Sequence, residues 1–465
     1  MNIIESIRII YIYKERSARA DALCKHILKF NTDIFIKEIT DLSQLKYIDI
    51  NSRSYLFILN ELDIRSYHYF IQQANNENLD NKKCHYNFQN AVFPTLEQLY
   101  LETSKLYCRI FLEKMDMKYL NPQYSVINKK TDLDNINFLN RVIKADGLMS
   151  GKGVFVYYDH FNTNNEAIEI VKKLLEKNEC VLLEDKLEGE EFSCITLSWK
   201  DVITHFPLVK DFKRVENGNK GLNTGGMGTI TFIGGSMPFL NVTDLEKCKA
   251  INEKVIKETR FRGFLYGSFI KTRNNEIKLI EYNVRLGDSE AVNILDLIDS
   301  NLILHLDDPV KNPLLVNLKE HTYFRYMVPR TYCRSINQNN QNNPSMYYVV
   351  ENTMPSHNFY LADSNVIFKP PITNIDNYYI NRNKIEDKIE DKIENSNTDF
   401  NKNCGGLYSI GTSRTCGVLS RNNDMSLLVT ENDRLVNMIH HDNLHYRTDI
   451  GLSMLEIYNN SLNMV

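Results

Sequence analysis

Apolar and polar positions along the chain fall into blocks of two periods, and together they predict an α/β protein. A first apolar run, Ile7-Arg8-Ile9-Ile10-Tyr11-Ile12-Tyr13, has the β-branched and aromatic content of a strand. Helical spacing follows over 19–30, with Ala22, Leu23, Ile27 and Leu28 in phase. A second buried strand is predicted over 54–59 and a helix over 65–74, which completes a small α/β unit. Further on, 97–114 reads as one helix. The stretch 165–177 reads as an amphipathic helix with Ile168, Val171, Leu174 and Leu175 inward, and 181–183 as a strand ending at Glu184. Beyond about 323 the blocks shorten into strands over 347–351, 366–368, 415–419 and 427–429. Between them, 381–395 repeats K-I-E-D with period four. Such polarity at low complexity predicts a solvated insertion over 381–403, and the Asn-rich 337–343 reads as a loop for the same reason. The expected units are 1–96, 97–322 with a lid-like subdomain at about 120–190, and 323–465.

Two stretches carry candidate chemistry. In EIKLIEYNVRLGDSE (276–290) the strand pattern places Glu281, Asn283 and Arg285 on one face and Ile280, Tyr282, Val284 and Leu286 on the other. A carboxylate and a carboxamide at i and i+2 are two hard oxygen ligands. That suits Mg²⁺, which often takes few protein ligands and fills its shell with water and phosphate oxygens. Arg285 is then placed to clamp a transferring phosphoryl group. An edge strand with a solvated polar face fits the same residues. In VIKADGLMSGKGVFV (142–156), two short strands flank a loop with Gly147, Gly151 and Gly153 and the lysines Lys144 and Lys152. Backbone N–H groups freed by glycine, together with ammonium groups, make a phosphate cradle. A glycine hairpin with no ligand is the alternative. The glycine spacing is not that of a Walker loop, and no G-x-G-x-x-G dinucleotide fingerprint is present.

Bulk properties narrow the class further. Among 465 residues the hydrophobic share is 43% and the charged share 25%, as in ordinary globular proteins. A net charge of −4 argues against nucleic-acid binding. Nine scattered cysteines without a C-x-x-C pair suit reduced thiols and a cytoplasmic setting, with no disulfide framework or zinc site. His440, His441 and His445 lie close together without a ligand pattern and read as surface or core histidines. Neither a signal peptide nor a membrane-spanning apolar run is expected.

Taken in order, VIKADGLMSGKGV, VLLEDKLEGEE (181–191), DFKRVENGNKGLNTGGMG (211–228), LIEYNVRLGDSE (279–290) and HYRTDIG (445–451) resemble the glycinamide ribonucleotide synthetase family of ATP-grasp ligases. The resemblance covers roughly 93–451. It implies an ATP-grasp fold with an N-terminal Rossmann-like (preATP-grasp) domain, a lid subdomain and a small β-rich C-terminal domain. The implied activity is ATP-dependent joining of glycine to phosphoribosylamine through glycyl phosphate, with Mg²⁺ (or Mn²⁺). Under it, Lys105, Lys144, Gly147, Gly151, Lys152 and Gly153 hold the nucleotide phosphates. Glu184 and the backbone near Leu187 read the adenine edge, and Glu191 meets the ribose. Glu281 and Asn283 hold the metal, and Arg285 and Asp288 act at the transferring phosphoryl group. Asp211, Lys213, Arg214, Asn223, Thr224, Gly225 and Gly226 line the acceptor side. The implied partners are these small molecules alone, with no nucleic acid or membrane, in a monomer or weak homodimer.

The chain departs from the family pattern at its N-terminus. Ser17-Ala18-Arg19-Ala20-Asp21-Ala22 stands where the family has a glycine-rich turn, and Leu59-Asn60-Glu61 where it has Gly-Pro-Glu. Leu222 and Ser289 replace two family prolines and are expected to loosen their turns. Without the turn glycines, an acceptor phosphate there would rely on side-chain cations, with Arg16 and Arg19 nearest. Two other readings therefore stand beside the first: a ligase with a different amine acceptor, and a nucleotide-binding homologue without turnover.

Overall fold

A computed structural model describes residues 8–13, 17–30, 34–39, 44, 54–59, 61–62, 64–68, 90–148, 153–332, 347–364, 366–368 and 405–462. Arg16, the Asn-rich 337–343 and the insertion 381–403 lie outside them, as does the predicted helix beyond residue 68.

The N-terminal strands Ile34–Ile39, Arg8–Tyr13, Ser54–Ile58 and Ala91–Val92 form one parallel sheet in that order. Helix Ala18–Phe30 buries Ala18, Ala20, Leu23 and Ile27. Parallel strands need crossovers, and burial on both faces explains the unbroken apolar run of Ser54–Ile58, buried at every position.

A central antiparallel sheet follows in the order Val202–His205, Gly189–Trp199, Gly263–Thr272, Ile277–Asn283. A second antiparallel sheet, ordered Tyr124–Asn128, Cys180–Asp185, Arg141–Ala145, Val154–Val156, carries helix Asn164–Lys177. This second unit has its own core of Ile127, Phe138, Ile143, Val171, Leu183 and neighbours. A separate core is what a lid needs if it is to be an independent body against the central sheet.

The predicted helix over 97–114 is two helices, Leu96–Thr103 and Lys105–Lys114, broken at Ser104 (φ −132°, ψ 112°). Serine prefers caps to helix interiors because its hydroxyl competes for backbone groups. Here Ser104 Oγ accepts from Tyr107 N at 3.0 Å. The expected strand over 427–429 lies inside helix Met425–Asn437. Asp424 caps it, and Met425, Leu428, Asn432, Leu435 and Val436 give the helical period.

The long loop after Asp211 is not structureless. Arg214–Glu216 and Lys220–Asn223 form a hairpin, and Lys210–Asp211 and Gly228–Thr231 join a sheet with His321–Pro329, Cys416–Asn422 and Phe359–Leu361. The HYRTDIG segment clamps this hairpin. Arg447, fully buried, donates to Arg214 O (3.1 Å) and Asn219 Oδ1 (2.9 Å) and pairs with Asp449 at 2.7 Å. His445 Nε2 reaches Val215 O at 2.8 Å, and Asn217 donates to Thr448 at 2.7 Å. His440 pairs with Glu351 at 2.8 Å. Among the described residues no group of three or more His, Cys, Asp or Glu is placed to hold a metal, and no helix is long and apolar enough to cross a membrane.

Candidate active site

The polar face of strand Ile277–Asn283 is produced by a bulge. Phe269 pairs with Leu279 and Ser268 with Glu281, so Ile280 is the extra residue between them. Plain alternation would put Leu279 on the face of Glu281. The bulge instead sends Ile277, Leu279, Tyr282 and Val284 into the core and leaves Glu281, Asn283 and Arg285 half-buried. The expected grouping of Ile280 with Tyr282 is thus replaced by Leu279. Bulges commonly re-aim side chains beside active sites.

Arg285 is braced rather than open. Its Nε donates to Glu102 Oε1 at 2.8 Å and its Nη2 to Glu61 Oε1 at 3.0 Å, while Glu102 also accepts from Val284 N at 2.9 Å. Burial works to lower the Arg285 pKa, but Glu102 and Glu61 outweigh it and hold the guanidinium charged. Asn283 Oδ1 lies 3.4 Å from Arg285 Nη2, and Glu281 accepts no hydrogen bond from a described residue. Two adjacent oxygen donors with lone pairs to spare on a half-buried face fit a magnesium-type ion.

Behind this strand the nucleotide side is wired by charge. Arg109, fully buried, donates to both carboxylate oxygens of Glu184 (2.8 and 3.2 Å) and to the carbonyls of Leu279 (3.2 Å) and Ile280 (2.7 Å). Lys144 Nζ sits 2.6 Å from Glu184 Oε2. Burial would raise the Glu184 pKa, but Lys144 and Arg109 override it and hold it at about 2. The carboxylate expected to read adenine is therefore occupied on both oxygens, while Leu187 in the hinge is partly exposed. Lys105 donates to Gly147 O at 3.0 Å. The helix break aims Ser104 Oγ and Leu106 N at the Asp146 carboxylate (3.0 and 3.1 Å). Gly147 has φ +117°, a conformation that favours glycine. Gly153 is described, while Gly151 and Lys152 lie outside the described residues.

Across the cleft, Lys213 Nζ is 3.4 Å from the exposed carboxylate of Glu191. Burial disfavours the Lys213 charge, yet Glu191, Tyr266 and Asp211 more than offset it and its pKa stands well above the usual range. Asp211 is half-buried beside Gly226, and its Oδ1 accepts no hydrogen bond from a described residue. Desolvation, then Glu290, push its pKa up to about 8. Thr224 Oγ1 is used within the turn, donating to Lys213 O (2.8 Å) and accepting from Gly226 N (3.0 Å). Asn223 is paired with Arg214 across the hairpin. Arg214 is engaged within the protein. Its guanidinium bonds Gly221 O at 2.9 Å and Asp159 of the lid at 2.5 Å.

Asp288 is held on both oxygens, by Tyr326 OH (2.5 Å) and Arg414 Nη2 (2.9 Å). Ser289 does not loosen its turn, being fully buried and 3.3 Å from Thr229 Oγ1. Arg19 is buried and donates to Leu286 O at 2.8 Å, facing the interior rather than a surface phosphate. Burial, then Arg285, lower its pKa to about 10. Helix geometry explains this: Ser17 O accepts from Ala20 N and Asp21 N, so Arg19 lies in the first turn, facing the 286–288 segment. Arg109, Glu102 and Arg414 are the residues sequence reading missed. Lys105 and Arg109 stand four apart on one helix, a signal for a shared face, but nothing in the sequence links Arg414 to Asp288.

The arrangement, then, is two lysines held at Gly147 O and at Glu184, two oxygen donors on one half-buried strand face and a braced arginine, between a lid and a central sheet. The family model for the phosphoribosylglycinamide synthetase ATP-grasp (A) domain matches residues 103–291. Outside the ATP-grasp domain the likeness is looser. The phosphoribosylamine–glycine ligase of Methanosarcina barkeri is 36% identical over 245 residues, covering 50% of this chain and 56% of that relative. The ligase of the same name from Pyrococcus abyssi is 33% identical over 252 residues, covering 52% and 57%. The alignments thus span little more than half the length of these curated relatives. Among solved structures, a phosphoribosylamine–glycine ligase from Thermotoga maritima is similar with TM-score 0.66 and 20% identity over 95% of this chain and 99% of that one. An N5-carboxyaminoimidazole synthetase from Staphylococcus aureus has TM-score 0.53 at 13% identity, covering 93% and 97%. At such identities the structural likeness speaks for the fold: the ATP-grasp domain sits between an N-terminal α/β unit and a β-rich C-terminal unit, as the sequence motifs imply.

Proposed function

We propose that the chain is an ATP-dependent carbon–nitrogen ligase that joins glycine to 5-phosphoribosylamine, giving glycinamide ribonucleotide, ADP and phosphate. One observation supports this reading most. Arg109 links Glu184 and Lys144 on the lid side to the carbonyls of Leu279 and Ile280, next to Glu281. The nucleotide lysine and the metal face are thereby parts of one hydrogen-bonded chain across the cleft.

In this reading Lys105 and Lys144 hold the nucleotide phosphates under the loop 147–153. Glu281 and Asn283 would hold Mg²⁺ or Mn²⁺, which would supply Lewis-acid polarisation of phosphate oxygens. A glycine carboxylate oxygen attacks the γ-phosphorus of ATP. The bond to the bridging oxygen breaks, and ADP leaves with that electron pair. Arg285, kept in place by Glu61 and Glu102, meets the charge on the phosphoryl group in transit. The amine of phosphoribosylamine then attacks the acyl carbon and phosphate departs. No side-chain nucleophile is required, so positioning and electrostatics carry the rate. Acceptor contacts fall to Asp211, Lys213, Gly225 and Gly226. A cytoplasmic setting fits Cys24, Cys108, Cys180, Cys194, Cys248 and Cys416, which form no disulfide, and we take the working form to be a monomer or weak homodimer.

A second reading, the same chemistry on another amine, is favoured by the inward-facing Arg19 at a turn without glycine. The deciding assay supplies ATP, Mg²⁺, glycine and freshly generated phosphoribosylamine and measures ADP and amide product against other amines. ADP release that depends on glycine, with amide formed only from phosphoribosylamine, supports the first reading. Amide formed only from another amine supports the second.

A further inference from the structure

Arg414 lies outside the matched ATP-grasp domain, yet its guanidinium reaches into the cleft. Nη1 donates to Gly225 O at 2.5 Å and to Asp288 O at 2.9 Å, and Nη2 donates to Asp288 Oδ2 at 2.9 Å. We propose that Arg414 is a positioning residue that locks the Gly225 turn of the acceptor loop to Asp288, fixing the register between that loop and the strand end bearing Arg285.

The backbone that presents Arg414 is itself held. Asp363 Oδ2 accepts from Thr412 N (2.7 Å) and Ser413 N (2.9 Å), Asp363 N donates to Arg414 O (2.8 Å), and Thr415 N donates to Met327 O (2.9 Å). A side chain at Gly411 would collide with the Asp363 carbonyl, so this tight turn requires its glycine. The guanidinium then lies 5.0 Å from the centre of the Tyr326 ring, whose hydroxyl holds the other oxygen of Asp288. Gly225 lies close against the same group: a Cβ there would sit 3.0 Å from Arg414 Cζ, so the guanidinium would have to shift. Three segments distant in sequence (225, 288 and 414) therefore meet through one planar group. Arginine can do this because its donors form a rigid fork; a lysine ammonium is a point donor on a flexible stem and cannot span two carbonyls and a carboxylate together. None of these three acceptors belongs to a substrate, which is why the residue positions the site and is not assigned a contact in the reaction.

The assignment rests on the ligase reading, and the test separates the two. Arg414→Lys and Gly225→Ala are compared with wild type for kcat and KM toward ATP, glycine and phosphoribosylamine. The geometry leads to a loss of about a hundredfold in kcat/KM for the two acceptor-side substrates, the scale of a misplacement of about 1 Å. The KM for ATP should stay within about twofold. Guanidinium chloride at low millimolar concentration should restore part of the activity of Arg414→Ala, and urea should not. Wild-type acceptor kinetics in both variants, or an equal loss toward ATP, would overturn the proposal. If the wild type releases no glycine-dependent ADP, the ligase reading fails, and amide hydrogen exchange still decides the clamp. Faster exchange at Thr224, Gly226 and Met227 in Arg414→Lys upholds it, and unchanged exchange overturns it.

Discussion

The two walls of the cleft are held by different means. On the nucleotide wall, charge is buried and fully paired: Arg109 has all its partners inside the protein, and Glu184 is shared between Arg109 and Lys144. On the acceptor wall the work falls to turns and a hairpin, with Asp211 left against Gly226 and with Arg447 and Arg414 pinning the loop from the C-terminal side. A buried, fully satisfied ion network is rigid and costly to disturb. A clamped loop can change its side chains while keeping its backbone. That difference parallels where the family likeness is found, since the network lies within 103–291 and the clamps at 414 and 445–451 lie outside it.

The sharpest way to break the comparison is to break the network. Glu184→Gln leaves Arg109 and Lys144 buried without a counter-charge, and truncating one partner of a buried pair costs about 3–5 kcal/mol. A clear fall in the denaturation midpoint is expected, together with weakened ATP binding. The pH dependence has a definite sign. The Glu184 pKa is depressed in the fold, so its stabilisation is present above its ordinary value of 4.5 and is lost as pH falls toward about 2. The Gln variant should lack that acid-side slope. Wild-type stability in the variant would mean that the nucleotide wall is not held by this pair.

Next comes the metal face. Glu281→Gln removes a charged oxygen ligand while preserving size, and ADP formation should drop by about 10²- to 10³-fold with an unchanged circular-dichroism spectrum. Full turnover at saturating Mg²⁺ would remove the metal assignment and leave Arg285 as the main charge in the site.

The half-buried face of Glu281, Asn283 and Arg285 could be read from the chain because its signal is local. Glu281, Asn283 and Arg285 share a strand face, and the glycine loop is one continuous segment. What escaped the reading depends on distance or on a single backbone irregularity. The Ile280 bulge changes which neighbours share a face, and period-two reasoning has no means to place it. Ser104 splits one predicted helix into two by capping, although composition alone would carry the helix through. The 427–429 strand was an error of period, since three apolar residues in a row fit either structure and Asp424 decides for helix. Arg414 meets Asp288 across 126 residues, so that contact comes only with the fold.

Arg19 tests whether the acceptor wall begins at the N-terminal turn. Its Nη1 donates to Leu286 O and the guanidinium lies among Arg285, Asp288 and Arg414. Arg19→Ala should therefore cost about 1.5–3 kcal/mol of stability through a lost charged hydrogen bond, with proportionate loss toward all substrates. A selective rise in the KM for phosphoribosylamine at unchanged melting temperature would instead return Arg19 to the phosphate and restore the N-terminal turn as part of the site.

Asp211 sharpens the contrast most. Its carboxyl is desolvated, faces Glu290, and has an oxygen without a described donor, so the folded pKa rises from 3.8 to about 8. The folded state therefore holds a proton that the unfolded state releases, and stability falls as pH climbs from about 4 through about 8, the reverse of Glu184. Asp211→Asn is neutral in both states and removes this slope. The variant should match wild type near the acid end of the window. Above the folded pKa the variant should be the more stable of the two, by an amount that solvent screening at this half-buried position keeps below the roughly 6 kcal/mol of the full shift. Urea titrations at the two ends of the window measure the difference directly. A variant less stable than wild type at high pH would mean that the Asp211 charge already has a stabilising partner in the fold, most simply Lys213 or Arg414, and that both walls are wired alike.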